Sequence, residues 1–240
     1  MMMKCAHRLA SPFVLSCVVL LGGFGGCAKT QQMHEPLKTG FLEDYSMLRP
    51  GQEGEALLVY KNQKADWKSY DKAIVDSVTI WRDKDSPLKE EWKADLQQLA
   101  DYFWDKLVKA LMPNYKIVSK PGPGVMRVTV AITEAEASNP TMDIISSVLP
   151  PARMLTGAKG IVAKGKPGFV GAASVEAKIT DAQTGELLMA GVDRRAGTKS
   201  LSGTTSSWSD VEEAYQYWAK KLKYRLCRER GEMNCIEPEE

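Results

Sequence analysis

Ala172-Ala173-Ser174-Val175-Glu176-Ala177-Lys178-Ile179-Thr180-Asp181-Ala182-Gln183-Thr184-Gly185-Glu186-Leu187-Leu188-Met189-Ala190-Gly191-Val192-Asp193-Arg194 reads as a β-hairpin. Val175, Ala177 and Ile179 alternate with Glu176, Lys178 and Thr180, which gives the first strand one apolar and one polar face. In the link, Gly185 supplies the left-handed conformation that closes such a turn with a bulge. Asp181 is placed to hydrogen-bond the turn's own backbone rather than to serve as a catalytic acid.

Working outward, residues 125–133 repeat the pattern, with Met126, Val128, Val130 and Ile132 alternating with Arg127, Thr129 and Ala131. Residues 55–61, 73–81 and 115–119 are further strand candidates, and Pro121-Gly122-Pro123-Gly124 is a turn. A helix starts at Ser86-Pro87, where serine can cap and proline suits the first turn. Its face is Leu88, Trp92, Leu96, Leu99, Phe103, Leu107 and Leu111, and Pro113-Asn114 ends it. A last helix is expected from a capping box, Ser209-x-x-Glu212, with Val211, Tyr215, Trp218, Leu222 and Leu226 on one face and Gly231 as its stop. Lys220, Lys221, Lys223 and Arg225 read as its solvated side. Two amphipathic helices and a run of strands predict an α+β two-layer sandwich, an antiparallel sheet with both helices packed on one face.

The first residues describe an address. Lys4, His7 and Arg8 precede an apolar run from Phe13 to Leu21, only nine residues long and interrupted by Ser16. A bilayer-crossing helix needs about 20 residues, so residues 1–26 read as a cleaved signal peptide. The end of this run, Leu20-Leu21-Gly22-Gly23-Phe24-Gly25-Gly26-Cys27, resembles the lipobox of bacterial lipoproteins, with Phe24 departing from the usual Leu. The resemblance implies that Cys27 becomes a triacylated first residue and the membrane anchor. Ala28 after it implies transfer to the outer membrane, facing the periplasm, because Asp there retains enterobacterial lipoproteins at the inner membrane.

Cysteine arithmetic agrees with an oxidising compartment. Of five cysteines, Cys5 and Cys17 leave with the signal and Cys27 takes the lipid, which leaves Cys227 and Cys235. Their spacing is too wide for a redox CxxC pair, and further Cys or His ligands are too few to complete a metal site. A structural disulfide closing a short loop is the reading. Losing Lys4 and Arg8 lowers the formal charge from +2 to 0, without the concentrated basic face that nucleic acid requires.

Residues 27–39 read as a polar lipidated tether and 40–240 as one domain. Within it, Gly40-Phe41-Leu42-Glu43-Asp44-Tyr45-Ser46-Met47-Leu48 reads as an arm pinned to the domain by Phe41, Leu42 and Tyr45. This G-F-L-x-D-Y-S-x-L run resembles that of a family of uncharacterised proteobacterial lipoproteins, a domain of unknown function. Val78-Thr79-Ile80-Trp81, Pro121-Gly122-Pro123-Gly124-Val125, Ala131-Ile132-Thr133 and Asp181-Ala182-Gln183-Thr184-Gly185-Glu186 carry the resemblance along the chain. It implies no particular activity.

The insert at 139–171 is apolar and rich in Gly and Pro, too long for a simple solvated loop. It folds back on the domain, or its Ile144, Ile145, Val148, Leu149, Met154 and Leu155 form a partner surface for self-association or another envelope protein. Searches for chemistry return little. His34 is the sole histidine after cleavage and sits in the stretch read as a tether, so neither a Ser-His-Asp arrangement nor a histidine-rich metal site is expected. Gly160-Ile161-Val162-Ala163-Lys164-Gly165-Lys166-Pro167 misses a phosphate-binding loop at its last position, where proline offers neither hydroxyl nor N–H. Glu134 and Glu136 are weak candidates for a carboxylate pair, and Trp67, Trp81 and Trp208 are better explained by packing than by sugar binding. The sequence predicts a non-catalytic accessory lipoprotein with no cofactor; the alternative is a periplasmic module binding, or hydrolysing, a small ligand or the cell wall.

Overall fold

A computed structural model describes residues 30–82, 86, 88, 93–138, 170–197 and 206–239. Among the described residues, nine strands, β1 (Thr30–Gln32), β2 (Arg49–Pro50), β3 (Leu58–Lys61), β4 (Lys72–Val75), β5 (Thr79–Ile80), β6 (Lys116–Ile117), β7 (Val125–Glu136), β8 (Ala172–Asp181) and β9 (Leu187–Gly197), form one sheet, and two helices, α1 (Lys93–Leu111) and α2 (Ser209–Glu229), pack against it. The order across the sheet is β2-β3-β9-β8-β7-β4-β6, with β1 paired to β9 and β5 to β7. The class is α+β, with a mixed sheet.

The quoted hairpin is β8–β9, paired from Ala172↔Ala196 to Thr180↔Leu187. Gly185 has φ +77°, and the Asp181 carboxylate accepts the N–H groups of Gln183 (2.9 Å) and Thr184 (2.7 Å), holding the turn. β7 runs antiparallel to β8, with a register shift between Ile132 and Glu134.

The sheet departs from the expected all-antiparallel form at three pairings: β4 with β6, β4 with β7 and β5 with β7 are parallel. The cause is connectivity. α1 lies between β5 and β6, and a chain that crosses the sheet in a helix returns in its starting direction. The single strand expected over 73–81 is also broken, because three residues lie between Val75 and Thr79 where two lie between their β7 partners Val128 and Ala131. Asp76 turns out at this break, and its carboxylate accepts from Arg127 Nη1 (2.7 Å) and Thr129 Oγ1 (2.9 Å).

Both helices bury the predicted faces. Leu96, Leu99, Phe103, Leu107 and Leu111 of α1 and Val211, Tyr215, Trp218 and Leu226 of α2 are buried. Phe103 stacks on Tyr215 with centroids 4.5 Å apart. Ser86 Oγ accepts the Leu88 N–H as a cap would, whereas Trp92 lies outside the described residues. The capping box at Ser209 does not form. Trp208 is the N-cap, and the Ser209 hydroxyl, already inside the helix, donates to the Ser206 carbonyl. Gly231 (φ +72°) stops α2, and its N–H bonds the Arg228 carbonyl.

The stretch read as a tether enters the sheet early. Thr30, Gln31 and Gln32 pair with Gly197, Ala196 and Arg195, and buried Arg195 donates to the Thr30 hydroxyl (3.1 Å) and carbonyl (2.9 Å). Three polar residues carry no hydrophobic period, so the pairing is visible only once the free edge of β9 is known.

Candidate functional site

Three cross-strand rows meet on the face of the sheet beneath the helices. One row is Ile132, Val175 and Asp193; the next is Val130, Ala177, Gly191 and Val59; the third is Val128, Ile179, Met189 and Lys61. The middle row carries two small residues where its neighbours carry large ones. A trough results, roofed by Phe103 and Leu107 of α1 and Trp218 and Leu222 of α2, with a cleft volume of about 290 Å³. Glu55, Ala56, Val59, Tyr60 and Lys61, from β3 and the segment before it, line one side of it.

Charged groups surround this apolar interior. Arg49 grips Glu55 through two hydrogen bonds (2.8 and 3.3 Å), and Arg225 approaches Glu55 at 3.5 Å while donating to the Gly54 carbonyl. Burial would raise the Glu55 carboxyl, but Arg49, the Gln52 N–H and Arg225 together hold it below its ordinary value. Lys61 bonds Glu229 at 3.0 Å, and Lys221 bonds Glu237 of the C-terminal tail at 2.5 Å.

At the inner end Asp193 is almost fully buried. It accepts from Gln32 Nε2 (2.6 Å), the Leu57 N–H (3.2 Å) and Trp218 Nε1 (2.7 Å). Burial pushes its carboxyl up, against the pull of those donors and of nearby Arg195. Asp193 ties β1, β3 and α2 to β9, and with its donors around it is a structural hub rather than a general base.

The opposite face of the sheet is covered by the arm. Glu176, expected to face solvent, is completely buried. Its carboxylate accepts from the Thr39 N–H (2.7 Å) and hydroxyl (2.9 Å), the Leu42 N–H (3.2 Å) and the Tyr45 hydroxyl (2.5 Å). Phe41 meets Trp81 edge-on at 5.5 Å, and Trp81 Nε1 donates to the Thr39 carbonyl. The arm therefore holds through polar bonds as well as through Phe41.

Glu134 is fully consumed by Arg194, in a buried two-bond pair of 2.5 and 2.7 Å, so the Glu134–Glu136 combination offers no free acid and base. Trp67 is buried and Trp208 packs against the core, as expected of packing residues. Cys227 and Cys235 lie with Cα atoms 5.7 Å apart, joined across the end of α2. Cys27 and the candidate partner residues Ile144, Ile145, Val148, Leu149, Met154 and Leu155 lie outside the described residues. Among the described residues no helix is long and apolar enough to cross a membrane. Asp193, Glu176 and the Ala177–Gly191 depression were not found from the sequence. The one available signal was the charge triplet Asp193-Arg194-Arg195 inside a strand, since such a run implies buried partners.

Fold and site together define an α+β protein with a two-sided sheet: an apolar, charge-rimmed cleft under the helices and a clamped arm on the other face. The chain belongs to the protein family of unknown function DUF3313, which it matches over residues 37–222. That region takes in the arm motif and begins downstream of Cys27. A comparison with curated proteins finds no match. Among solved structures, the PelC dodecamer from Paraburkholderia phytofirmans is 10% identical, covering 73% of this chain and 96% of that one at a TM-score of 0.38. A DUF330 protein from Xanthomonas campestris is 14% identical (69% and 89% covered, TM-score 0.39). A DUF4136 protein from Bacteroides thetaiotaomicron is 10% identical (70% and 95% covered, TM-score 0.35). No activity follows from likeness at this level.

Proposed function

We propose that the protein is a lipoprotein of the bacterial cell envelope, anchored through acylated Cys27 to the periplasmic side of the outer membrane and acting there without catalysis as an accessory component. The observation that carries the reading is where the chain enters the fold. β1 starts at Thr30, three residues after Cys27, and Arg195 clamps it to β9. Three extended residues span about 10 Å, so lipidation at Cys27 would set this end of the domain against the bilayer surface. The strand ends that flank the apolar insert belong to the same end: Glu136 pairs with Ala172, Ala172 with Ala196, and Gly197 with Thr30. Residues 144, 145, 148, 149, 154 and 155 are thereby proposed as a partner surface close to the membrane, for a second copy or another envelope protein.

Labelled palmitate tests the anchor. Incorporation into the wild type and its loss in Cys27→Ser is the expected result, and an unlabelled wild type removes the proposal. Crosslinking in cells from 139–171 should recover one reproducible protein partner; with the domain folded, its consistent absence removes the accessory role. The cleft favours a second reading, a module that binds a small ligand in the periplasm.

A further inference from the structure

Resting on that second reading, we infer that the cleft binds a single-chain amphiphile with an anionic head, of the fatty-acid class. The interior has the required shape and chemistry. Its depth comes from one cross-strand row, in which Ala177 and Gly191 lie between Val130 and Val59. A Cβ added to Gly191 would make only ordinary contacts, 3.4 Å with the Leu58 carbonyl and 3.7 Å with the Ala56 side chain, so a larger side chain there would take up space in the trough rather than clash with its wall. Valines, Ile179, Met189, Phe103, Leu107, Trp218 and Leu222 form the rest, with Asp193 saturated by three donors at the inner end. At about 290 Å³ the cleft lies near the lower bound of small-molecule sites, roughly 300–1,000 Å³, and a trough one row wide suits one narrow chain.

The mouth supplies the head-group preference. Arg49, Lys61, Lys221 and Arg225 line it against Glu55 and Glu229, an excess of cations among the lining residues. Lys221 satisfies itself with the carboxylate of Glu237, a half-exposed residue of the C-terminal tail that does not line the cleft. That carboxylate marks the position an incoming anionic head would take, by replacing Glu237 on Lys221 beside Arg225. The chain would enter from the β3 side and lie over Ala177 and Gly191.

The test uses the full chain in amphipol and a photoreactive palmitate carrying a diazirine, with crosslinked peptides located by mass spectrometry. Labels are expected within 125–130, 175–191 and 218–225. Each methylene added to an unlabelled competing carboxylate should improve competition about four-fold until the trough is full. Dodecanoate should compete at least ten-fold better than dodecyltrimethylammonium, and Lys221→Glu with Arg225→Glu should abolish that preference. Ala177→Trp fills the row and should remove labelling with the melting temperature intact; Val59→Trp, on half-buried β3 in the same row, serves the same purpose if Ala177→Trp misfolds. Labels absent from those peptides, labelling that survives both tryptophan variants, or equal competition by the two head groups overturns the proposal. So does a photocrosslinker at Val59 that captures residues 139–169 of the same chain, because the cleft would then hold its own insert. Palmitate on Cys27 is read on a separate N-terminal peptide, so failure of the anchor and failure of the cleft are distinguishable.

Discussion

Replacing Glu176 by alanine should release the 40–48 arm and the adjoining Thr39 from the sheet while the two layers stay folded. The wild-type carboxylate receives four hydrogen bonds, two from the backbone N–H groups of Thr39 and Leu42 and two from the hydroxyls of Thr39 and Tyr45. A buried donor left without an acceptor costs roughly 1–3 kcal/mol, which sets a ceiling of about 6 kcal/mol for the two amides alone. The arm can lift and let water reach them, so a loss of about 3 kcal/mol is expected, with a slightly smaller urea m-value because the released arm already exposes surface in the folded state. Tyr45→Phe removes one donor of four and should cost about 1.5 kcal/mol. Urea titration gives the free energies, and hydrogen exchange at the Thr39 and Leu42 amides locates them. A loss below about 1 kcal/mol for Glu176→Ala, or unaltered exchange at both amides, refutes the clamp.

The same contact has a pH signature. Burial and then the bond to Glu176 push the Tyr45 phenol up to about 12 from the ordinary 10.0. A folded-state value above the unfolded one means that this stabilisation is complete below pH 10 and is lost as pH rises towards 12. Tyr70 is pushed up to about 12 as well, by burial and by Asp181, so Tyr45→Phe should shallow the alkaline decline without abolishing it.

Three further outcomes are expected. Glu134→Ala removes the two-bond partner of buried Arg194 and should cost about 3–5 kcal/mol by urea titration, whereas Glu134→Leu combined with Arg194→Met should recover most of it; no recovery would mean the pair does more than neutralise itself. The Tyr215 hydroxyl is buried with no partner among the described residues, so Tyr215→Phe should raise stability by about 1 kcal/mol with the Phe103 stack retained; a loss of that size would reveal a partner. Reducing the Cys227–Cys235 bridge frees a short C-terminal loop and should lower stability by about 2–3 kcal/mol, read as a drop in the urea midpoint that Cys227→Ser with Cys235→Ser reproduces.

How much of this was legible in the chain depends on the range of each signal. Gly185 and Asp181 announce their turn because its hydrogen bonds close within five residues. Leu96, Leu99, Phe103, Leu107 and Leu111 announce a buried face because helical period and burial are both local. The arm motif was legible as an arm, through Phe41, Leu42 and Tyr45, but its acceptor was not. Glu176 lies 131 residues from Tyr45, in a strand whose alternation assigned it to solvent.

The sequence by itself determined the class, the hairpin and both helix faces, since composition and period within a window of about 18 residues suffice for these. Tertiary structure decided what depends on which segment covers which. The α1 crossover made part of the sheet parallel, and the free edge of β9 drew in Thr30–Gln32. The arm turned an outward carboxylate into a buried anchor. Only pairing in register placed Ala177 beside Gly191, and that juxtaposition of two small residues from strands β8 and β9 is what opens the cleft.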